Sequence, residues 1–278
     1  MIIESNGVNI AFSDEGVGDA VLFIHGHPFN RSMWQPQLEA LRDDFRVIMP
    51  DLRGYGDSSL GTSDVAVTLE DFSYDLIALL DALRLAKICV VGLSMGGQIA
   101  MEFARAYPDR LTGLVLAATF PRAETKEGIA DRNRTADRLL TEGMARHGCE
   151  TLPKLIGKTS MTRSPQLAAD VYRMICLTNP VAAAAALRGR AMRRDYSDFL
   201  SSLRLPNLIV VGSEDAYTTV AEAEDMGRRI AGSRLEVFEG IGHLPNLEDA
   251  QRFNEALVTF LQSTRPAVDR QETAKRVK

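Results

Sequence analysis

The strongest constraint on this chain is an alternation. Over residues 1–118 short apolar runs alternate with longer amphipathic segments, the pattern of a mostly parallel sheet whose strands are joined by crossover helices. Residues 20–25 (AVLFIH), 46–50 (RVIMP), 87–92 (KICVVG) and 111–118 (LTGLVLAA) read as buried strands. Between them, Met33, Trp34, Leu38 and Leu41 recur near helical spacing over 32–41. Thr68 followed by Glu70 and Asp71 marks a helix start, and Phe72, Leu76, Leu79, Leu80 and Leu83 then share one face. Ile99, Ala100, Phe103 and Ala106 stripe a helix over 95–107 that Pro108 stops.

From Pro121 to about Arg204 the strand signal vanishes. Helical stretches at 131–147, 166–177 and 181–194 replace it, so residues 121–204 are expected to form an inserted helical cap. A second α/β block follows Pro206, with strands at 207–211 and 235–239 and helices at 220–230 and 248–261. The core is therefore expected to comprise residues 1–120 and 205–263, and the polar stretch 264–278 to be a disordered tail. The 278 residues permit one domain or two; an insertion into one sheet favours one.

Composition excludes several functions. The chain has 32 basic and 37 acidic side chains, and this mild acidity without basic clusters argues against a nucleic-acid surface. No apolar run approaches the roughly 18 residues of a membrane span, and the start, Met1-Ile2-Ile3-Glu4, lacks the basic and apolar regions of a secretory signal. Cys89, Cys149 and Cys176 are odd in number and lack CxxC spacing, which fits a reducing cytoplasm. Four histidines, at 25, 27, 147 and 243, make neither an HxxxH nor an HExxH pair, so metal-free, cofactor-free chemistry is expected.

Gly92-Leu93-Ser94-Met95-Gly96 matches Gly-x-Ser-x-Gly. A bare match arises by chance in about one chain in ten of this length, so its place between a strand and a helix carries the weight. The glycines leave room for the sharp turn that exposes a nucleophilic serine. A dinucleotide loop would need a glycine where Ser94 stands. A serine that merely caps a helix is the plainer alternative.

A serine hydroxyl needs a base, and the base a carboxylate to orient it. His243 lies in a glycine-flanked loop after a strand, and Asp215 in a loop after LIVVGSE, with Glu214 as a rival carboxylate. The order Ser94, Asp215, His243 suits a triad built on a nucleophile elbow. His25-Gly26-His27-Pro28 follows the strand AVLFI, where the oxyanion hole belongs; the backbone N–H groups of His27 and Met95 are the expected donors, since Pro28 has none. His147 is assigned to solvated surface.

Four segments together, HGHPF (25–29), DLRGYGDS (51–58), GLSMGG (92–97) and GIGHLPNLED (240–249), resemble the α/β-hydrolase fold superfamily, and most nearly its 3-oxoadipate enol-lactonase-like serine carboxylesterases. The resemblance implies an α/β-hydrolase fold: a mostly parallel twisted sheet flanked by helices, with an inserted helical cap. It implies a serine hydrolase of small esters or lactones, with catalytic Ser94, Asp215 and His243. Carbon–carbon (meta-cleavage product) hydrolases and cofactor-free perhydrolases share the triad, and a hydrolase-fold ligand receptor is the non-enzymatic alternative. Dehalogenases and many epoxide hydrolases carry aspartate at the nucleophile, which Ser94 disfavours. Asp51 and Arg53 are assigned to turns near the site. The inserted segment's arginines, Arg132, Arg138 and Arg190 among them, could bind a substrate carboxylate, but most are placed on solvated helix surface; Leu140, Met144, Met161 and Met174 suit the core better than the pocket, and none of them is assigned a site role.

Overall fold

The computed structural model describes residues 1–62 and 65–264. Eight strands, β1 (Ile2–Ser5), β2 (Val8–Glu15), β3 (Asp19–Ile24), β4 (Phe45–Pro50), β5 (Ile88–Leu93), β6 (Leu111–Ala117), β7 (Asn207–Gly212) and β8 (Arg234–Phe238), form one sheet in the order β1-β2-β4-β3-β5-β6-β7-β8. Pairing is antiparallel from β1 through β2 to β4 and parallel from β4 to β8. The helices are α1 (Gln35–Leu41), α2 (Leu69–Ala82), α3 (Met95–Ala106), α4 (Lys126–Leu155), α5 (Lys158–Arg163), α6 (Pro165–Cys176), α7 (Pro180–Ala191), α8 (Ser197–Ser202), α9 (Val220–Arg229), α10 (Pro245–Glu248) and α11 (Ala250–Thr264).

Side-chain alternation sorts each central strand between two buried faces. Val21, Phe23, Val91 and Val115 point to one, where Trp34, Phe253 and Leu257 pack; Leu22, Ile24, Val90 and Leu114 point to the other, against Phe72, Ile99 and Phe103. The predicted start of α2 is a full capping box: the Thr68 hydroxyl accepts from the Asp71 N–H at 3.2 Å, and the Asp71 carboxylate accepts from the Thr68 N–H at 2.8 Å. Trp34 is fully buried, its ring 5.1 Å from that of Phe23.

Five helices, α4 to α8, lie between β6 and β7 in sequence. The helix expected at 131–147 is longer, spanning Lys126–Leu155, and Gly143 (φ 78, ψ 174) breaks it into two helical runs. The short α5 and α8, and the hairpin of β1 and β2, carry too little periodicity to be anticipated. The single helix expected at 248–261 is divided at Asp249 into α10 and α11. Leu140, expected in the core, is 47% exposed, whereas Met144 is buried and Met161 and Met174 pack against the core. Thr264 closes α11; the remainder of the expected tail, residues 265–278, lies outside the described residues. Among the described residues no helix is long and apolar enough to cross a membrane, and no group of three His, Cys, Asp or Glu side chains is placed to hold a metal ion.

Candidate active site

Ser94 joins β5 to α3 at φ 56 and ψ −114. A β-substituted residue at positive φ costs about 1–3 kcal/mol, so the surroundings must hold it there. Its N–H donates to Ala117 O at 2.9 Å, and its carbonyl accepts the Gln98 N–H at 3.1 Å and the Thr119 hydroxyl at 2.8 Å. Sterics require the flanking glycines: a Cβ at Gly96 would strike the Ile24 carbonyl, and one at Gly92 the Gly96 carbonyl. The elbow therefore sits directly on its neighbouring strand. As the first residue of α3, Met95 carries one of the N–H groups that a helix leaves unpaired at its N-terminus.

The loop after β8 carries His243, 3% exposed, into the same cavity as Ser94. Its Nδ1 lies 2.9 and 2.8 Å from the two oxygens of Asp215. That carboxylate also accepts the N–H groups of Tyr217 at 2.7 Å and Thr218 at 3.0 Å, which aim it at the ring. Nδ1 therefore carries the hydrogen, which leaves Nε2 as an acceptor. Glu214, the rival, turns away: its oxygens accept the Thr159 N–H at 3.0 Å and the Thr159 hydroxyl at 2.6 Å.

The His243 loop is also held by an acid that its sequence position does not reveal. Glu248, on α10, is buried and accepts three backbone N–H groups, from Gly157 (3.0 Å), Gly242 (2.9 Å) and Leu244 (3.0 Å). Two of these flank His243, and the third belongs to the turn after α4. The His243 N–H completes the clamp by donating to Leu155 O at 3.0 Å. The segment GIGHLPNLED carries this acid in the sequence, but only the fold brings Gly157, Gly242 and Leu244 around it.

Across the cavity, the HGHP loop is fixed by buried polar contacts. His25 Nε2 accepts the Leu52 N–H at 3.0 Å, which leaves Nδ1 to donate to Gly26 O at 2.9 Å. Burial lowers the pKa of His25, in keeping with this neutral form. The Phe29 N–H donates to Gly26 O at 3.0 Å, closing a tight turn around His27. Asp51 accepts the N–H groups of Arg31 and Asp57, each at 2.8 Å, and pairs with the Arg31 guanidinium; Arg53 makes a two-pronged pair with buried Asp75 at 2.5 and 2.6 Å. Both residues tie down turns, as expected from the sequence.

The shared cavity has a volume of ≈ 590 Å³. Ser94, His27 and His243 line it together with Thr119, Tyr217 and residues of α4 and α7. Two expectations need correcting here. His147 is half-buried in this cavity, its ring 6.3 Å from that of His27, because the break at Gly143 turns the second run of α4 inward. Arg190 is only 7% exposed and also lines it, and Arg193 beside it is 4% exposed.

The model of the α/β hydrolase fold family matches residues 19–250. The chain belongs to that family. Its structure is similar to that of a thermophilic esterase from Thermogutta terrifontis determined with malate bound, at 38% identity and a TM-score of 0.92, covering 96% of this chain and 99% of that one. It is also similar to the enol-lactonase from Burkholderia xenovorans LB400, at 27% identity and a TM-score of 0.87 over 94% of this chain and 99% of the other. The 3-oxoadipate enol-lactonase 1 of Acinetobacter baylyi is 28% identical over 265 residues, covering 95% of this chain and 97% of its own. The expected resemblance to enol-lactonase-like esterases and the expected α/β-hydrolase sheet therefore both hold.

Proposed function

We propose that this α/β hydrolase is a serine hydrolase that cleaves small carboxylic esters or lactones through an acyl-enzyme. The observation that carries the proposal is the bond between His243 Nδ1 and both oxygens of Asp215, in a cavity that also holds Ser94 at a strained elbow.

In this mechanism the Ser94 hydroxyl attacks the carbonyl carbon while His243 Nε2 accepts its proton. Asp215 keeps the hydrogen of the neutral ring on Nδ1 and stabilises the imidazolium that forms. Charge then develops on the former carbonyl oxygen, where the N–H groups of His27 and Met95 receive it; such donors are worth about 3 kcal/mol each. His243 returns the proton to the leaving alkoxide, or to the ring-opened oxygen of a lactone. Water next attacks the acyl-enzyme with His243 again as base, and Ser94 is released. Helices α4 to α8 serve as a cap over this chemistry: with α4 and α7 walling the cavity, they exclude bulk water and strengthen each electrostatic contact inside.

Support also comes from the relatives, whose names include esterases and enol-lactonases. The test is direct. 4-Nitrophenyl esters of graded acyl length should be hydrolysed, a fluorophosphonate should label Ser94, and Ser94→Ala should abolish both. Near-wild-type ester turnover by Ser94→Ala would overturn the proposal.

A further inference from the structure

A pair of thiols lies away from the residues that line the Ser94 cavity, where the second run of α4 packs on α6. The two helices touch at Gly148: a Cβ there would stand 2.9 Å from the ring of Tyr172 and 3.3 Å from a methyl of Ile175. Each helix carries a cysteine one residue beyond that contact, Cys149 after Gly148 and Cys176 after Ile175. Cys149 is exposed and Cys176 half-buried, and both thiols are free. The third cysteine, Cys89, is buried in β5, where burial pushes its thiol up and makes it inert.

The Tyr172 hydroxyl joins the two. It donates to Ala145 O at 3.3 Å and accepts the Cys149 thiol at 3.6 Å. Cys176 stands one turn after Tyr172 on α6, the spacing at which side chains share a helix face. Both thiols therefore border a single hydroxyl across the seam between two helices. Hydrogen bonding to Cys149, and then to Cys176, pushes the pKa of Tyr172 up. The hydroxyl thus keeps its proton at neutral pH and is a standing donor for whichever sulfur ionises; the thiolate is the form that reacts.

We propose that Cys149 and Cys176 are a redox pair that closes to a disulfide between α4 and α6 by exchange with a small disulfide such as oxidised glutathione, with Tyr172 assisting the attacking thiolate. Cys149, the exposed member, loses its proton and attacks one sulfur of the small disulfide; that S–S bond breaks and a glutathione thiolate leaves. The Cys176 thiolate then attacks the Cys149 sulfur and displaces the second glutathione. The two protons end on the two glutathione thiols, so two protein thiols are oxidised and one small disulfide is reduced. The consequence falls on the cavity wall. The same run of α4 presents His147, Thr151 and Leu155 to the cavity, and Leu155 O accepts the His243 N–H, so the bridge ties this wall to α6. The exchange chemistry is independent of the hydrolase assignment.

To test the pair, the reduced full chain is incubated with oxidised glutathione, remaining thiols are capped with N-ethylmaleimide, and intact mass and unreduced peptide maps are recorded. The chain should lose two hydrogens and yield a linked pair of peptides containing Cys149 and Cys176, while Cys89 is capped only after unfolding. Because the bridge closes a loop, it should raise Tm by about 5–10 °C, and dithiothreitol should reverse the rise. Cys149→Ser and Cys176→Ser should each leave the other cysteine holding one glutathione, with Tm within about 2 °C of the reduced chain. Tyr172→Phe should still form the bridge, but at least about threefold more slowly. Stable glutathione adducts on both cysteines of the wild type, disulfide-linked dimers, or no reaction at either thiol would overturn the pair. Closure of Tyr172→Phe at the wild-type rate would overturn the part given to the tyrosine. Mass and Tm report on the bridge whether or not the chain hydrolyses any ester, so failure here and failure of the hydrolase assignment are read separately.

Discussion

On one side of the cavity His243 meets a carboxylate that accepts two further N–H groups, and its loop is clamped by Glu248; on the other, His27 faces cations and keeps an unpartnered nitrogen. The two histidines are similarly buried, at 3% and 9% exposure. What differs is the sign of their surroundings. Burial first, and then the charges of nearby groups led by Arg190, push the pKa of His27 well below its ordinary 6.5. A ring that accepts and returns a proton is suited by the first environment, whereas the second keeps a ring neutral.

The largest effect should come from removing the charge that distinguishes the two sides. Asp215→Asn retains the size and one acceptor oxygen but no longer stabilises an imidazolium or enforces the Nδ1–H tautomer. In triads of this kind that change lowers kcat by about 10⁴-fold. Ester kinetics, with a thermal melt to show that the variant is folded, should find a loss of that order. A loss under tenfold would mean that His243 is not oriented as a base by Asp215.

Glu248→Gln tests the clamp rather than the charge. The amide offers one acceptor oxygen where the carboxylate offers two to the N–H groups of Gly157, Gly242 and Leu244. Losing hydrogen bonds to a buried charged acceptor should cost about 2–3 kcal/mol of stability. Small displacement of His243 should lower kcat by about 10–100-fold, with KM little changed. Assays well below the variant's Tm separate the two effects. An unchanged kcat in the folded variant would make Glu248 a structural brace only.

The difference between the histidines should also appear as a stability effect. His27 stays neutral in the folded chain, whereas an unfolded histidine takes up a proton below about pH 6.5. The unfolded state then binds more protons, so stability falls as pH falls below about 6.5, by up to about 1.4 kcal/mol per pH unit per such histidine. His25, also depressed by burial, contributes in the same direction. Urea denaturation at pH 7.0 and 5.5 should show this loss in the wild type and a smaller loss in His27→Gln. Equal losses in the two proteins would show that His27 does not resist protonation in the folded state.

Much of the clamped side was legible in the sequence. Ser94 and Asp215 each follow a strand buried on both faces, a signal that survives without structural information, whereas His243 follows the half-exposed β8 and is marked by its glycine-flanked loop instead. The hairpin at the start was not legible: β1 and β2 sit at the sheet edge, and their mixed burial leaves no continuous apolar run. The cationic side was hidden for another reason. In α7 residues 182–187 and 189–191 are all buried, so the helix has no polar face from which to infer that Arg190 points inward while Arg188 pairs with Asp137 near the surface. Similarly, only the break at Gly143 brings His147 to the cavity, and a continuous periodic reading of 131–147 conceals it.

The smallest expected effect concerns the carboxylate next to Asp215. Glu214 is adjacent in sequence and equally ionisable, yet it spends both oxygens on Thr159 of α5, whose hydrogen bonds hold it below the usual carboxylate range. It is exposed and contacts neither histidine. Glu214→Gln should therefore change kcat/KM by less than about threefold, as expected of a surface substitution away from a site. Measured beside Asp215→Asn under the same conditions, it separates the effect of placement from that of charge. A loss from Glu214→Gln approaching that of Asp215→Asn would mean that negative charge near the loop, rather than the bond to Nδ1, sustains His243, and the contrast between the two sides of the cavity would then be one of overall field instead of specific contact.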